Sequence, residues 1–188
     1  TLSLHDALPI YIASGAKATV AAVRQPLELA SSFGVIETDP QDRTRISAFV
    51  EKPETTPGLP DDPTQFLASM GNYIMDANAL LEAVTVDAAD ETSKHDMGGD
   101  IIPAFVAEGT AGVYDFIRNE VPGSTDRDRD YWRDVGTLDA YFDANLDLTN
   151  TTPDLDLYDR EWPIWTYSEM TAPAKFVHND EGRRGMAV

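Results

Sequence analysis

Two aromatic residues, an arginine, an aspartate and a glycine turn stand together in the stretch Tyr131-Trp132-Arg133-Asp134-Val135-Gly136-Thr137. Residues 138–148 follow at once and repeat their apolar side chains at helical spacing, which predicts an amphipathic helix. Thr137 stands at the expected N-cap, because its hydroxyl can accept from the first free backbone N–H groups. Asp134 is therefore predicted at the end of a strand, on a loop that leads into a helix, where ligands bind in open α/β sheets. The alternative is a surface loop in which Asp134 pairs with Arg133.

The composition is that of an ordinary globular domain with a large excess of acid. The chain has 188 residues, of which 42% are hydrophobic and 25% charged, and its 14 basic and 33 acidic side chains leave a net charge of −19. This length predicts one domain with a substantial core. The acidity argues against nucleic-acid binding, which needs a basic face. A few local cations can still hold a phosphate inside an acidic protein.

The absence of cysteine excludes a disulfide framework and any thiolate metal site. No apolar run approaches the roughly 18–20 residues that a membrane-spanning helix needs, so no membrane partner is expected. The sequence is compatible with a reducing cytoplasm. Residues 1–10 lack both the basic start and the continuous apolar stretch of a signal peptide, and we expect a leader or a junction there.

Apolar patterns along the chain alternate between strands and helices. Strands are predicted at 18–23, 33–38, 46–50, 66–75 and 112–117, and further helices at 77–84 and 100–106. The second and third strands are expected to form a hairpin, and the fourth to lie centrally. The proline-rich segment 54–63 predicts a loop. This alternation indicates an α/β fold with an added hairpin.

Polar or glycine residues stand at four predicted strand ends: Gly34, Glu51 with Lys52, Ser69, and Asp134. A lysine can meet a phosphate as a point charge, and a glutamate can accept hydrogen bonds from sugar hydroxyls. A glycine lets a ligand approach the backbone closely, and an aspartate on a loop can coordinate Mg²⁺. The alternative is that Glu51 and Lys52 form a surface ion pair worth little, and that Ser69 is a small strand residue.

Other candidate sites are weaker. His95 and Asp96 could act as an acid–base pair, but the neighbouring Gly98 and Gly99 favour a loop or capping role. The sequence contains no nucleophile elbow, zinc-protease motif, P-loop or dinucleotide fingerprint. The aromatic cluster Trp162–Tyr167 is expected to serve packing.

Several motifs follow one another along the chain: Ser32–Val35, Phe49–Pro53, Leu67–Gly71, Ser93–Asp96, Tyr131–Thr137, Tyr158–Arg160 with Trp162–Ile164, and Pro173–Val177. Together they resemble the bacterial glucose-1-phosphate adenylyltransferase family, from about residue 11 to the end. Phe49–Pro53 alone would indicate only the wider class of sugar nucleotidyltransferases.

The resemblance implies adenylyl transfer, in which ATP and α-D-glucose 1-phosphate give ADP-glucose and pyrophosphate for glycogen synthesis. It implies that Gly34, Glu51, Lys52 and Ser69 hold glucose 1-phosphate, with Lys52 on the phosphate. Asp134 would ligate Mg²⁺, and Lys52 and Asp134 would be the catalytic residues. For the full-length enzyme the resemblance implies an allosterically regulated cytoplasmic homotetramer.

The resemblance also implies a division of the chain. Residues 1–10 would be a non-matching leader or junction. Residues 11–150 would be the C-terminal half of a Rossmann-like catalytic domain, with a mixed, mostly parallel sheet and flanking helices. Residues 151–188 would be a linker to a left-handed β-helix domain. The family's glycine-rich nucleotide loop is not in this sequence, so we expect no turnover from these residues alone. Two alternatives stay open: a nucleotidyltransferase that uses UTP, dTTP or CTP, and a non-catalytic regulatory subunit that binds sugar phosphate.

Overall fold

A computed structural model of the chain describes residues 4–129, 131–163, 176–177 and 186–187. Its helices and strands are α1 (Leu4–Ser14), β1 (Ala18–Pro26), β2 (Gly34–Thr38), β3 (Ile46–Glu51), β4 (Gln65–Met75), α2 (Ala77–Ala88), α3 (Ile102–Ala107), β5 (Ala111–Asp115), α4 (Leu138–Asp147), β6 (Phe176–Val177) and β7 (Met186–Ala187). Residues 164–167 of the predicted aromatic cluster, and most of the segment 151–188, lie outside the described residues.

Five strands form one mixed sheet in the order β3-β2-β4-β1-β5. The α/β class, the flanking helices, the hairpin of β2 with β3 and the central place of β4 are as predicted. The described sheet is not mostly parallel, because only β1 and β5 run parallel while β1–β4, β2–β3 and β2–β4 are antiparallel. The short connection between β2 and β3 leaves room for a hairpin turn but not for the crossover that parallel strands require.

Side chains alternate between the two faces of the sheet along β1, and both faces of this strand are buried. Val20 belongs to a core cluster that α3 closes with Ile102 and Phe105. Ala21, the next residue, belongs to the opposite cluster, which Ala7 of α1 joins. Burial on both sides explains why β1 reads as a continuous apolar run. Residues 4–10, expected within a leader or junction, therefore lie in a helix that packs against the sheet.

Capping side chains begin two of the helices, and the cap at Thr137 is the predicted one. Asp76 Oδ1 accepts from the backbone N–H groups of Asn78 and Ala79 at 3.0 and 2.8 Å, which begins α2. Thr137 Oγ1 accepts from the N–H of Ala140 at 3.1 Å, which begins α4. None of the described helices has the length and apolarity to cross a membrane.

The apolar stripe of α4 does not face the core as its spacing suggested, and α2 also leaves a large apolar side chain exposed. Leu138 on α4 is 87% exposed, and Tyr141, Phe142 and Leu146 on the same helix are exposed as well. On α2, Leu81 is exposed. Helical spacing thus identified the helices correctly, but it did not reveal which side each helix turns toward the sheet.

Surface loops in the described part of the chain share a pattern in which an aspartate precedes a threonine by two positions. Oδ1 of Asp42, Asp62 and Asp90 accepts from that threonine's hydroxyl and backbone N–H at 2.6–3.0 Å. The hydroxyl first, and the backbone N–H second, hold the pKa of each aspartate below its ordinary value of 3.8. These carboxylates therefore stay charged and keep their loops closed at neutral pH.

We expect the stability of the chain to fall as the pH drops below about 3.8. The pKa values of these aspartates are lower in the folded than in the unfolded chain, so the unfolded chain binds more protons at acidic pH. The stabilisation is fully present above about pH 3.8 and is lost as the pH falls through the folded-state values. Urea unfolding from about pH 5 to pH 2.5 measures this. Thr64→Val should raise the pKa of Asp62, which NMR titration measures. Thr56→Val should leave that pKa unchanged, because the Thr56 hydroxyl donates to a backbone carbonyl. A midpoint independent of pH would contradict the expectation.

Candidate functional site

The five residues predicted to form a site line one cleft of about 440 Å³. Gly34 opens β2, Glu51 closes β3, and Lys52 follows it directly. Ser69 comes from β4, and Asp134 from the loop that precedes α4. Gly34 and Glu51 are register partners in the hairpin, so the antiparallel pairing itself brings the first two strand ends together.

Lys52 has a strained backbone at the mouth of this cleft. Its φ is +48°, a left-handed conformation that a lysine rarely adopts. Its N–H donates to the carbonyl of Phe33 at 3.0 Å, which holds this conformation as the chain leaves β3 toward Pro53. Its Nζ lies 3.4 Å from Glu51 Oε1, and both side chains are largely exposed. The predicted ion pair is therefore present but worth little, whereas backbone strain of this kind clusters at functional sites.

Gly34 occupies a position where no side chain fits. A Cβ there would lie 2.6 Å from Phe49 Cζ and 2.9 Å from Glu51 Oε2. The glycine therefore lets the Phe49 ring and the Glu51 carboxylate approach the backbone of β2, which shapes this wall of the cleft.

Gly34→Ala is expected to lower the free energy of unfolding by about 1–3 kcal/mol, the usual cost of overpacking. It should also weaken ligand binding in the cleft, because Phe49 and Glu51 must move away from the new methyl group. Gly98→Ala is the matched control, since its Cβ would meet only ordinary contacts, the nearest at 3.4 Å. Urea unfolding of both variants checks this, and equal stability of the two would contradict the steric role of Gly34.

Ser69 lies in the middle of β4 rather than at a strand end as predicted. It lies beside a β-bulge. Val20 pairs with Tyr73 and Ala22 pairs with Ser69, so an advance of two residues along β1 corresponds to four residues along β4. Gly71, with a φ of +70°, permits this irregularity, and its N–H donates to Ser69 Oγ at 3.3 Å. Bulges re-aim side chains and are frequent beside active sites. The bulge explains how a serine within a central strand reaches the cleft.

Tyr73 and Asp96 also line the cleft, although the sequence pattern did not predict a place in the cleft for either of them. Burial first, then the carboxylates of Asp96 and Glu51, raise the pKa of the Tyr73 hydroxyl, while Ser69 partly opposes this. The phenol therefore stays protonated at neutral pH and can donate a hydrogen bond. The alternation of Ser69, Gly71 and Tyr73 along β4 was a signal that could have identified Tyr73.

His95 and Asp96 do not form an acid–base pair. His95 Nδ1 lies 2.8 Å from Asp87 Oδ2 instead. Asp96 Oδ1 accepts from the N–H of Gly99 at 2.6 Å, and its own N–H donates to Asp100 Oδ2 at 2.9 Å. The predicted capping role of Asp96 is therefore present, at the start of the π-helical turn Met97–Ile101.

The prediction that Asp134 lies at the end of a strand is wrong, because the loop that carries it is irregular. Trp132 fixes it instead, because its ring meets Phe33 edge-on at 6.0 Å and packs against the core. Arg133 pairs with Asp147 at 2.7 Å, not with Asp134, so the surface-pair alternative does not hold. The loop does lead into the N-terminus of α4, as expected.

The surroundings of Asp134 fit a role as a Mg²⁺ ligand. Its side chain is exposed toward the cleft, and only Oδ1 accepts a protein hydrogen bond among the described residues, from Gly136 N–H at 3.2 Å. No group of three or more metal-ligating side chains occurs in the described part of the chain. A site with one carboxylate suits Mg²⁺, which takes few protein carboxylates and fills its shell with water and phosphate oxygens.

The cleft contains groups that can bind hydroxyls and a phosphate, and its carboxylates outnumber its single ammonium group. Lys52 contributes an ammonium group, while Glu51, Asp96 and Asp134 contribute carboxylates. Carboxylates accept hydrogen bonds from hydroxyl groups, and a lysine serves as a point charge for phosphate.

A second cavity of about 380 Å³ lies between α2 and α3 and includes none of the predicted residues. The buried Ile101 and Phe105 contribute its apolar part, and Glu82, Asp90 and Glu108 are among its lining residues. We place the candidate site in the cleft because, among the described residues, a strained backbone, a bulge and all five predicted residues coincide there.

Comparison with known proteins places this cleft in a family. Residues 2–151 match the family described as nucleotidyl transferase. The chain belongs to the nucleotidyl transferase family. The match includes every strand of the five-stranded sheet and all the predicted cleft residues, so the cleft lies within the family domain.

Curated relatives of this nucleotidyl transferase chain carry the name glucose-1-phosphate adenylyltransferase. The protein of Paenarthrobacter aurescens (strain TC1) is 61% identical over 178 residues, which are 95% of this chain and 38% of the relative. That of Kocuria rhizophila is 58% identical over 186 residues, 99% of this chain and 45% of the relative. That of Bifidobacterium adolescentis is 54% identical over 178 residues. The chain thus spans less than half the length of the curated relatives it matches.

Proposed function

We propose that this chain carries the glucose 1-phosphate site of a glucose-1-phosphate adenylyltransferase. The observation that supports this most is the convergence of Glu51 with Lys52, Ser69 and Asp134 on one cleft from three separate segments. The names of the relatives point to the same activity. The reaction is the transfer of AMP from ATP to α-D-glucose 1-phosphate, with release of pyrophosphate.

In this proposal each cleft residue has a separate task. Lys52 holds the phosphate of glucose 1-phosphate, while Glu51 and Ser69 bind its hydroxyl groups and Gly34 keeps the wall open for the ring. A phosphate oxygen then attacks the α-phosphorus of ATP in line, a new P–O bond forms, and the bond to the leaving pyrophosphate breaks. Positioning and charge neutralisation supply most of the acceleration, so no side-chain nucleophile is needed.

Asp134 would hold Mg²⁺ in this proposal. When bound, the ion would neutralise charge on the phosphate groups. The N–H of Gly136 donates to Asp134 Oδ1. Asp134 Oδ2 has no hydrogen bond among the described residues, so this oxygen would be the one that contacts the ion.

The cellular setting is proposed on the resemblance and the relatives' names. The full-length protein would be an allosterically regulated homotetramer in the cytoplasm that supplies ADP-glucose for glycogen synthesis. Its partners would be ATP and glucose 1-phosphate, with neither nucleic acid nor membrane. The strongly acidic composition supports the absence of nucleic acid.

A segment exchange tests the proposed activity. The matched 178 residues of the Paenarthrobacter aurescens relative are replaced by those of this chain, and pyrophosphate release from glucose 1-phosphate is measured with ATP, UTP, dTTP and CTP. We expect turnover with ATP and little with the other nucleotides. Preference for another nucleotide would favour the wider sugar nucleotidyltransferase class. A folded chimaera that binds glucose 1-phosphate without turnover would favour a regulatory role.

A further inference from the structure

His95 directly precedes the cleft residue Asp96 and has a backbone conformation that is rare for a residue with a side chain. Its φ is +56°, and in the described part of the chain Lys52 is the only other residue besides glycine with a positive φ. A left-handed conformation is unfavourable for a residue with a Cβ, so contacts of the folded protein must hold it. Strain of this kind clusters at functional sites, yet the proposed function makes no use of His95.

Two side chains hold His95 in this conformation. His95 Nδ1 lies 2.8 Å from Asp87 Oδ2, and the backbone N–H of His95 donates to Ser93 Oγ at 2.9 Å. The Ser93 hydroxyl in turn donates to Asp87 Oδ1 at 2.5 Å. Asp87 belongs to α2, and its side chain is only 15% exposed. Its two carboxylate oxygens therefore connect the segment 93–95 to the C-terminal end of α2. We call Asp87, Ser93 and His95 the tether.

The charge of Asp87 determines the role of the imidazole. The hydrogen bond from Ser93 first, and that from His95 second, hold the pKa of Asp87 below its ordinary value of 3.8. A charged carboxylate only accepts hydrogen bonds, so His95 Nδ1 carries the proton and donates. The Ser93 hydroxyl donates to the carboxylate and not to the imidazole, so the three residues do not have the arrangement of a nucleophilic triad.

The tether is followed by part of the cleft wall, residues 96–98, which we call the wall segment. All three of its residues line the cleft. A Cβ at Gly98 would lie 3.4 Å from Glu51 Oε2 and 3.6 Å from Phe49 Cε1, so the wall segment lies directly against the end of β3. A small displacement of this segment would therefore change the space around the Glu51 carboxylate.

On its other side the wall segment borders a cavity. Ser93, Gly99 and Asp100 flank the segment in the chain, and they line the cavity of about 380 Å³ between α2 and α3. Met97 is the side chain of the wall segment that packs against the apolar core. A segment with few packed neighbours opens easily, so the hydrogen bonds to Asp87 are an important support of this wall.

We propose that His95 is a positioning residue of the cleft, which holds the wall segment in place through its hydrogen bond to Asp87. The affinity of the cleft for glucose 1-phosphate then depends on His95, although His95 does not itself line the cleft. The effect on affinity rests on the proposed function, whereas the tether does not. Asparagine meets the same two requirements as His95, because its side-chain amide can donate to Asp87 and it tolerates a positive φ.

Kinetics of the segment-exchange enzyme test the role in binding. His95→Ala should raise the KM for glucose 1-phosphate about tenfold, the lower end of what a hydrogen bond to a charged group contributes. It should leave kcat within about twofold, because the wall is needed equally in the ground state and the transition state. His95→Asn should retain the KM of the unsubstituted enzyme. An unchanged KM in His95→Ala, or an equal rise in His95→Asn, would overturn the proposal.

His95→Gly separates the hydrogen bond from the backbone strain. Glycine adopts a positive φ without cost but has no donor for Asp87. This variant should therefore show the raised KM of His95→Ala. If it retained the KM of the unsubstituted enzyme, the backbone conformation and not the tether would position the wall, and the proposal would be wrong.

Two further variants separate the tether from the stability of the loop around it. Thr92→Val removes a hydroxyl that donates to Asp90 at 2.7 Å in the same loop, and it should leave the KM unchanged. A rise equal to that of His95→Ala would contradict a specific role of His95. Asp87→Ala with His95→Ala should raise the KM little more than Asp87→Ala alone, because both substitutions remove the same hydrogen bond. Additive effects would contradict the tether.

Amide hydrogen exchange of the 188-residue chain tests the tether without any ligand. The N–H of Gly99 donates to Asp96 Oδ1 at 2.6 Å, so its exchange reports opening of the turn. This exchange should be faster in His95→Ala than in the unsubstituted chain, and unchanged in His95→Asn. Equal protection in all three chains would overturn the tether. Faster exchange in His95→Ala, together with no binding of glucose 1-phosphate to the unsubstituted enzyme, would support the tether and contradict the proposed function alone.

Discussion

Asp134→Asn is expected to lower kcat/KM on the order of 10²–10³-fold in the segment-exchange enzyme, the range seen when one electrostatic contact to a transition state is removed. The substitution keeps the shape of the side chain and its hydrogen bond to Gly136, but it removes the charge that would hold Mg²⁺. The loss should fall mainly on kcat, because charge on the phosphates is greatest in the transition state. Pyrophosphate release measured over a range of Mg²⁺ concentrations checks this, and the variant should require more Mg²⁺.

Asp139→Asn is the matched control for this prediction. Asp139 is an exposed carboxylate in the first turn of α4 and does not line the cleft. It should leave both kcat and the Mg²⁺ requirement unchanged. If Asp134→Asn also left kcat/KM near that of the unsubstituted enzyme, Asp134 would not be a metal ligand, and the exposed Oδ2 would have no functional meaning.

Lys52→Ala is expected to lower kcat/KM on the order of 10²-fold, as when one partner of a hydrogen-bonded charge pair is truncated. This loss should appear largely as a higher KM for glucose 1-phosphate, since Lys52 would meet the phosphate in the ground state as well as in the transition state. The KM for ATP should change little. Steady-state kinetics with each substrate varied in turn separates these effects.

Lys17→Ala controls for the loss of one positive charge. Lys17 Nζ pairs with Glu108 at 3.2 Å, away from the cleft, and its side chain is about as exposed as that of Lys52. A rise in KM for glucose 1-phosphate of similar size in both variants would show that net charge, rather than the position of Lys52, governs binding.

The parts of the fold that sequence predicted well are those fixed by local interactions. The hairpin of β2 and β3 follows from two short apolar runs around a turn with Asp39 and Pro40. The starts of α2 and α4 follow from Asp76 and Thr137, whose side chains cap their own helices. Glu51 and Lys52 were predicted at the end of β3 because Pro53 stops the ladder.

The parts that sequence did not predict depend on distant contacts. Ser69 reaches the cleft through a bulge whose register β1 sets, which no local pattern along β4 records. Trp132 holds the loop of Asp134 by packing on Phe33, about a hundred positions earlier in the chain. Asp96 was predicted as a cap, and it is one, but its place in the cleft depends on the packing of the turn Met97–Ile101 against β3. The exposed apolar stripe of α4 was missed for the same reason, because helical spacing predicts a helix but not which other elements pack against it.

Titration of the 188-residue chain with glucose 1-phosphate, followed by amide NMR, tests most directly whether the cleft is the sugar-phosphate site. The amides of Gly34, Glu51, Lys52 and Ser69 should shift together and saturably, and Lys52→Ala should abolish the response. Saturable shifts confined to the cavity between α2 and α3, around Ile101 and Phe105, would contradict the assignment. So would the absence of any saturable shift from a chain whose spectrum shows that it is folded.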